Sequence, residues 1–188
     1  MTLPKTDDFV LPTWRQRLAR SLHLHRSKAE AKYFQLATYC NEHGVQNRTV
    51  VFRGFAPNSN TFWCISEANC AKVDSLRRHA DAQICWYFAK TREQYRLSVQ
   101  ATIQDGNAFE QASRINVWQN ISESARLSFF AQAPESWLAE GDKSTPPANF
   151  VVLAFQVNQV DYLQLTEPHQ RYLAIDDGVS WTERAIPA

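Results

Sequence analysis

The chain has no Cys-x-x-Cys pair, no two histidines at zinc-finger spacing and no apolar run approaching a membrane span. Each absence removes a class of protein. Cys40, Cys64, Cys70 and Cys85 are therefore not read as a zinc site. Three of them lie in or beside apolar, strand-like runs, where a free thiol serves as a small buried hydrophobe. The opening MTLPKTDDFV lacks the apolar stretch of a secretory leader, and no segment suits a spanning helix. The expectation is a reduced, soluble, cytoplasmic protein with no metal and no membrane partner. An excess of one charge is missing too: 20 Lys and Arg face 19 Asp and Glu, for a net charge of +1. No general attraction to nucleic acid follows from that balance, so anion binding must come from local placement of Arg and Lys. There is no internal repeat and no low-complexity tract.

What is present suits one globular domain over residues 1–188, with 44% hydrophobic and 21% charged residues. Residues 1–11 read as a tail, and the polar, Pro-rich stretch 135–147 as a loop or lid. Six Trp within an aromatic content of 12% lean toward β-rich structure or a pocket for a planar ligand.

Pro12-Thr13 precedes a helix reaching about Arg26, with Thr13 a plausible cap and Trp14, Leu18 and Leu22 as its apolar stripe. Arg15, Arg17, Arg20, His23 and Arg26 lie elsewhere on the wheel. A solvated face is the simpler reading of them, and RNA or lipid contact the alternative. Strands are predicted over 33–40, 45–55, 61–66, 83–88 and 94–104. The last alternates most cleanly, with Tyr95, Leu97, Val99 and Ala101 on one face. A short helix is predicted over 72–79, and further helices over about 108–131 with Ser122 as a cap. NFVVLAFQV, apolar on both faces, is predicted as a central strand, followed by VDYLQL, HQRYLAI and SWTERAI as separate strands. Asp176-Asp177-Gly178 turns the last two into a hairpin.

The fold class is mainly β with peripheral helices, an antiparallel barrel of about six to eight strands. Such a barrel fills its interior with side chains, so a ligand must bind outside it or at an interface. A symmetric partner chain is the commonest source of a second wall.

Arg48 to Lys72, RTVVFRGFAPNSNTFWCISEANCAK, is the candidate ligand region. Two guanidiniums frame a Val-Val-Phe strand and a lysine opens a helix, an arrangement suited to a phosphate. Arg48 and Arg53 would fall on opposite faces of a regular strand, so a bulge or twist is expected before Gly54.

Three motifs in order resemble those of the FMN-binding split barrels related to pyridoxamine 5'-phosphate oxidase, in particular its uncharacterised flavin-binding subgroup. They are Arg48-Thr-Val-Val-Phe-Arg53-Gly54, then Ile65-Ser66 with Cys70-Ala71-Lys72, then Gln94-Tyr95-Arg96, the last spaced from Lys72 without a gap. His169-Gln-Arg171 and the closing Trp181, Arg184 and Pro187 extend the likeness over roughly residues 12–187. The resemblance implies a split barrel that binds FMN at the interface of a homodimer and acts as an FMN-dependent oxidoreductase of unassigned substrate.

It also implies roles. Arg48, Arg53 and Lys72 would meet the phosphate, with Ser66, beside Ile65, at the phosphate or ribityl hydroxyls. The backbone of Thr49, Val50 and Val51 would run along the flavin. Gln94 would face the pyrimidine edge of the ring, and Ser122 and Arg171 would be later contacts, from the partner subunit. Cys70-Ala71 replaces the family's Ser-Arg, removing one phosphate guanidinium. No side chain is assigned as catalytic acid or base. The alternative is a non-catalytic flavin-binding or carrier protein, or a split barrel holding haem or a deazaflavin.

Overall fold

Alternating apolar and polar side chains pair into one antiparallel sheet, whose two faces the helices help to cover. The computed structural model describes residues 9–106, 111–130 and 144–188. The strands are β1 (Tyr33–Cys40), β2 (Gly44–Val51), β3 (Gly54–Phe55), β4 (Phe62–Glu67), β5 (Asp81–Phe88), β6 (Glu93–Gln104), β7 (Phe150–Gln164), β8 (Gln170–Asp176) and β9 (Trp181–Ala185). The helices are α1 (Thr13–Leu24), α2 (Ala71–Arg78), α3 (Gln111–Asn120) and α4 (Glu123–Ser128). The nine strands run in the order β2-β1-β5-β6-β7-β4-β3, with β8 on β7 and β9 on β8. The sheet curls without closing, as a split barrel.

Three boundaries differ from expectation. The predicted strand over 45–55 divides into β2 and β3. At the break the Phe52 N–H turns to Lys32 O (2.8 Å) and the Arg53 N–H to Trp63 O (2.8 Å), so the chain leaves β1 for β4. Gly54, at φ +126°, takes a conformation that L side chains rarely adopt. The cap of α1 is Pro12 rather than Thr13, with no side-chain cap bond. NFVVLAFQV and VDYLQL are one strand, β7, broken only in phase. Ser98 pairs with Gln159 and the next residue, Val99, with Val157, so Asn158 is bulged out. The 135–147 stretch lies mostly outside the described residues.

The first half of β7 serves two cores, which explains its apolar character on both faces. Val151, Leu153, Phe155 and Val157 enter the barrel core with Trp14 and Leu18 of α1 and Val73 and Leu76 of α2. Phe150, Val152 and Ala154 face a second cluster with Val117 and Trp118 of α3 and Phe129 and Phe130 after α4. Helix α1 is tied down by a buried polar group. Glu93 accepts from Ser21 Oγ (2.8 Å) and Tyr162 OH (2.8 Å) and is only 1% exposed, while Ser21 Oγ also meets Tyr95 OH (2.9 Å). Two of the basic residues of α1 are engaged with the protein itself. Arg15 stacks on Phe55 with burial lowering its pKa to about 10, and Arg17 pairs with Glu183 at 2.7 Å.

Candidate functional site

Arg48 pairs across β1 with Leu36, a fully buried residue, so its side chain leaves β2 on the core side. Its Nη1 donates to Thr38 Oγ1 at 2.6 Å and to Leu36 O at 3.3 Å. Burial lowers the Arg48 pKa, and the nearby charge of Cys70 pulls it back up.

Cys70 is the hub of this end of the barrel. It is the N-cap residue of α2, and its Sγ lies 2.9 Å from Ser66 Oγ and 3.2 Å from Lys72 Nζ. Burial pushes the thiol pKa up, but the Ser66 hydroxyl, the Val73 N–H and the Lys72 ammonium together outweigh it, and the net direction is down. Ser66 is 4% exposed and also donates to Glu67 O (3.2 Å). Ser66 and Lys72 therefore converge on the Cys70 sulfur at the start of a helix, with the Arg48 guanidinium within electrostatic reach of it. Donors and cations that steady a thiolate there are equally suited to a phosphate oxygen.

Arg53 sits past the strand break, in a different setting. Burial lowers its pKa, opposed by Cys64 and Tyr33. Its Nε is buried without a hydrogen-bond partner, an orphaned donor at the rim. Cys64 is fully buried and its pKa is pushed up to about 12 by burial against the pull of Lys72 and Arg53.

Between these groups the sheet offers unpaired backbone. Among the described residues, β2 has β1 as its one strand partner, and β4 beyond Trp63 has only β7. The free edges of Thr49, Val50 and Val51 on one side and of Ile65 and Ser66 on the other border the split. The Val50 side chain is buried in the barrel core and Ile65 packs on the second cluster, which leaves the backbone as their contribution.

The model of the pyridoxamine 5'-phosphate oxidase FMN-binding domain matches residues 11–105, which include every one of these groups. The chain belongs to this family. Among its relatives is an Arabidopsis thaliana protein named pyridoxine/pyridoxamine 5'-phosphate oxidase 2, 29% identical over 164 residues, covering 81% of this chain and 83% of that one. A solved structure of a pyridoxamine 5'-phosphate oxidase-related, FMN binding protein from Nostoc punctiforme is 36% identical. It covers 96% of this chain and 100% of its own, with a TM-score of 0.86. PhzG from Burkholderia lata, solved with tetrahydrophenazine-1-carboxylic acid, shares the fold at 17% identity, with a TM-score of 0.73 over 100% of this chain and 98% of its own.

The remaining residues that the family resemblance singled out lie elsewhere. Gln94 on β6 pairs with Leu163 on β7, which pairs with Arg171 on β8, so the three form one row across the sheet. Gln94 precedes Tyr95, which is buried in the barrel core, so the row points outward. It thus lies on the opposite face of the sheet from Arg48. Ser122 is an exposed cap on α4, accepting from the Ala125 N–H at 3.3 Å and meeting Ser124 Oγ at 3.1 Å. His169 is exposed, its Nε2 3.2 Å from a Glu167 carboxylate oxygen. No cluster of metal-ligating side chains occurs among the described residues, and no described helix is long and apolar enough to cross a membrane.

Sequence reasoning missed two participants. Cys70 looks like a lost serine until its contacts are known, although a small polarisable residue ahead of a helix was a cue for a cap. Thr38, the anchor of Arg48, carries no sequence signal because the link depends on strand register.

Proposed function

We propose that this chain is an FMN-binding flavoprotein acting as an oxidoreductase, with two copies forming the site. The observation that carries the reading is the meeting of Ser66 and Lys72 on Cys70 at the N-terminus of α2, within electrostatic reach of Arg48 and beside the strand edges of β2 and β4, in a member of an FMN-binding family. Arg48 is pre-oriented by Thr38, and Lys72 is free to turn from the Cys70 sulfur to a phosphate oxygen. Cys70 answers the same anion. Beside a dianion its own negative charge is disfavoured, so Sγ keeps its proton and can donate it in a hydrogen bond. Arg53, with its orphaned Nε, supplies a third cationic contact at the rim.

When bound, FMN supplies hydride and electron transfer at its ring, and the protein supplies orientation and electrostatics. Gln94 and Arg171 are the groups suited to the ring's carbonyl edge. They face away from Arg48 within one chain, which supports a site completed by a second copy. The relative from Arabidopsis thaliana makes pyridoxamine 5'-phosphate the first substrate to test.

The experiment is purification and spectroscopy. The yellow protein should absorb near ~450 nm, as oxidised flavins do, and sediment as a dimer. Arg48→Ala combined with Lys72→Ala should abolish the absorbance. Full FMN occupancy in that double variant would refute the phosphate site, and a monomer retaining FMN would refute the shared one. Peroxide release on air oxidation of pyridoxamine 5'-phosphate, or reduction of the flavin by NAD(P)H, separates an oxidoreductase from a carrier.

A further inference from the structure

The bulge at Asn158 shifts the phase of β7. Val157 and Val160 both enter the core, so Asp161 and Leu163 turn outward, where an unbroken strand would have buried them. Asp161 thereby pairs with Arg96 on β6 and lies one row from Arg171 on β8.

The contacts are specific. Asp161 Oδ1 accepts from Arg171 Nε at 3.0 Å and Oδ2 from Arg171 Nη2 at 2.8 Å, a bidentate pair along one edge of the guanidinium. Arg171 Nη1 donates to Pro187 O at 3.3 Å. Arg96 Nη2 donates to the same Oδ2. The Asp161 side chain is 13% exposed, against 28% for Arg171 and 48% for Arg96.

We propose that Asp161 is a positioning residue for the flavin ring, holding Arg171 so that the unused edge of its guanidinium points outward beside Gln94. The inference rests on the FMN reading above. A guanidinium has five N–H groups. Asp161 takes two and Pro187 one, which leaves one on each Nη to meet the carbonyl edge of a planar ligand. Gln94 and Arg171 stand two strand spacings apart, about 10 Å between backbones, and both side chains are long enough to converge over Leu163. An unpinned arginine on the outward face of the sheet would sample many rotamers, and the bidentate carboxylate removes that freedom in advance. The carboxylate also lets Arg96 and Arg171 share one face without repelling each other. The cluster keeps one net positive charge, suited to a ring edge that becomes electron-rich on reduction.

The test is FMN titration, by quenching of flavin fluorescence, of the wild-type protein, Asp161→Asn, Asp161→Glu, Arg171→Ala and the Asp161→Asn/Arg171→Ala double variant. Asp161→Asn should weaken FMN binding about tenfold, near the loss of one charge-assisted contact. Asp161→Glu should recover most of that, and the double variant should bind no more weakly than Arg171→Ala alone. The cofactor-free melting temperature should fall by less than about 4 °C, as for a partly exposed ion pair. Unchanged affinity in Asp161→Asn would overturn the proposal. So would an equal further loss in the Arg171→Ala background, which would mean Asp161 acts through the fold. A wild-type protein that takes up no FMN would overturn both this proposal and the cofactor reading beneath it.

Discussion

The backbone N–H of Arg53 donates to the carbonyl of Trp63 at 2.8 Å, and this bond continues the β3–β4 pairing at the point where the chain leaves β2. It is made by main chain, so the Arg53 side chain is left for another purpose. Arg53→Ala should leave the melting temperature close to that of the wild type while weakening binding of an anionic ligand. Arg53→Pro removes the donor and should cost about 1–3 kcal/mol in a denaturant titration.

Arg48 is held from behind by Thr38, which is 2% exposed. Thr38→Val keeps the shape and removes the acceptor. FMN affinity should fall by about fivefold to tenfold, less than the loss in Arg48→Ala, because the cation stays but loses its anchor. Titration of both variants decides the order.

The thiols of Cys70 and Cys64 are driven in opposite directions. Cys70 lies below the ordinary cysteine value, and Cys64 is pushed up to about 12. In the FMN-free protein at neutral pH, iodoacetamide should therefore modify Cys70 well before Cys64, with a rate that rises as pH climbs through the Cys70 value. FMN should protect Cys70, since the phosphate takes over its partners. Peptide mapping after a timed pulse reads both effects.

Glu93 is buried among Ser21, Tyr95 and Tyr162, and its loss would remove the charged acceptor that the Ser21 and Tyr162 hydroxyls share. Glu93→Ala should destabilise the protein by about 2–5 kcal/mol and loosen α1 from the barrel. Hydrogen exchange of the α1 amides locates that loss.

Asp161 is held below the usual carboxylate range, first by the Arg171 hydrogen bonds and then, against burial, by Arg96. A folded value below the unfolded one stabilises the protein above the unfolded value, and the contribution disappears as pH falls through the folded one. Acid unfolding of Asp161→Asn should lack that part of the pH dependence, which comparison of the two acid titrations would reveal.

Much of this protein follows from local rules. The strand over 33–40 appears with the same bounds and those over 83–88 and 94–104 with starts earlier by one or two residues, because period-two alternation faces one core. Helix α2 and the cap at Ser122 follow from side chains next to their own backbone. The family likeness read from the order and spacing of Arg48, Ser66, Lys72 and Gln94 agrees with the family match over residues 11–105. What the sequence could not determine depends on where distant strands meet. Asn158 carries no local mark of a bulge, yet that one extra residue turns Asp161 out between Arg96 and Arg171. The break at Phe52 and Arg53 arises because the chain exchanges β1 for β4 as its partner. Both outcomes depend on register, the summed fit of many side chains across strands, and only the assembled sheet decides which residues share a face.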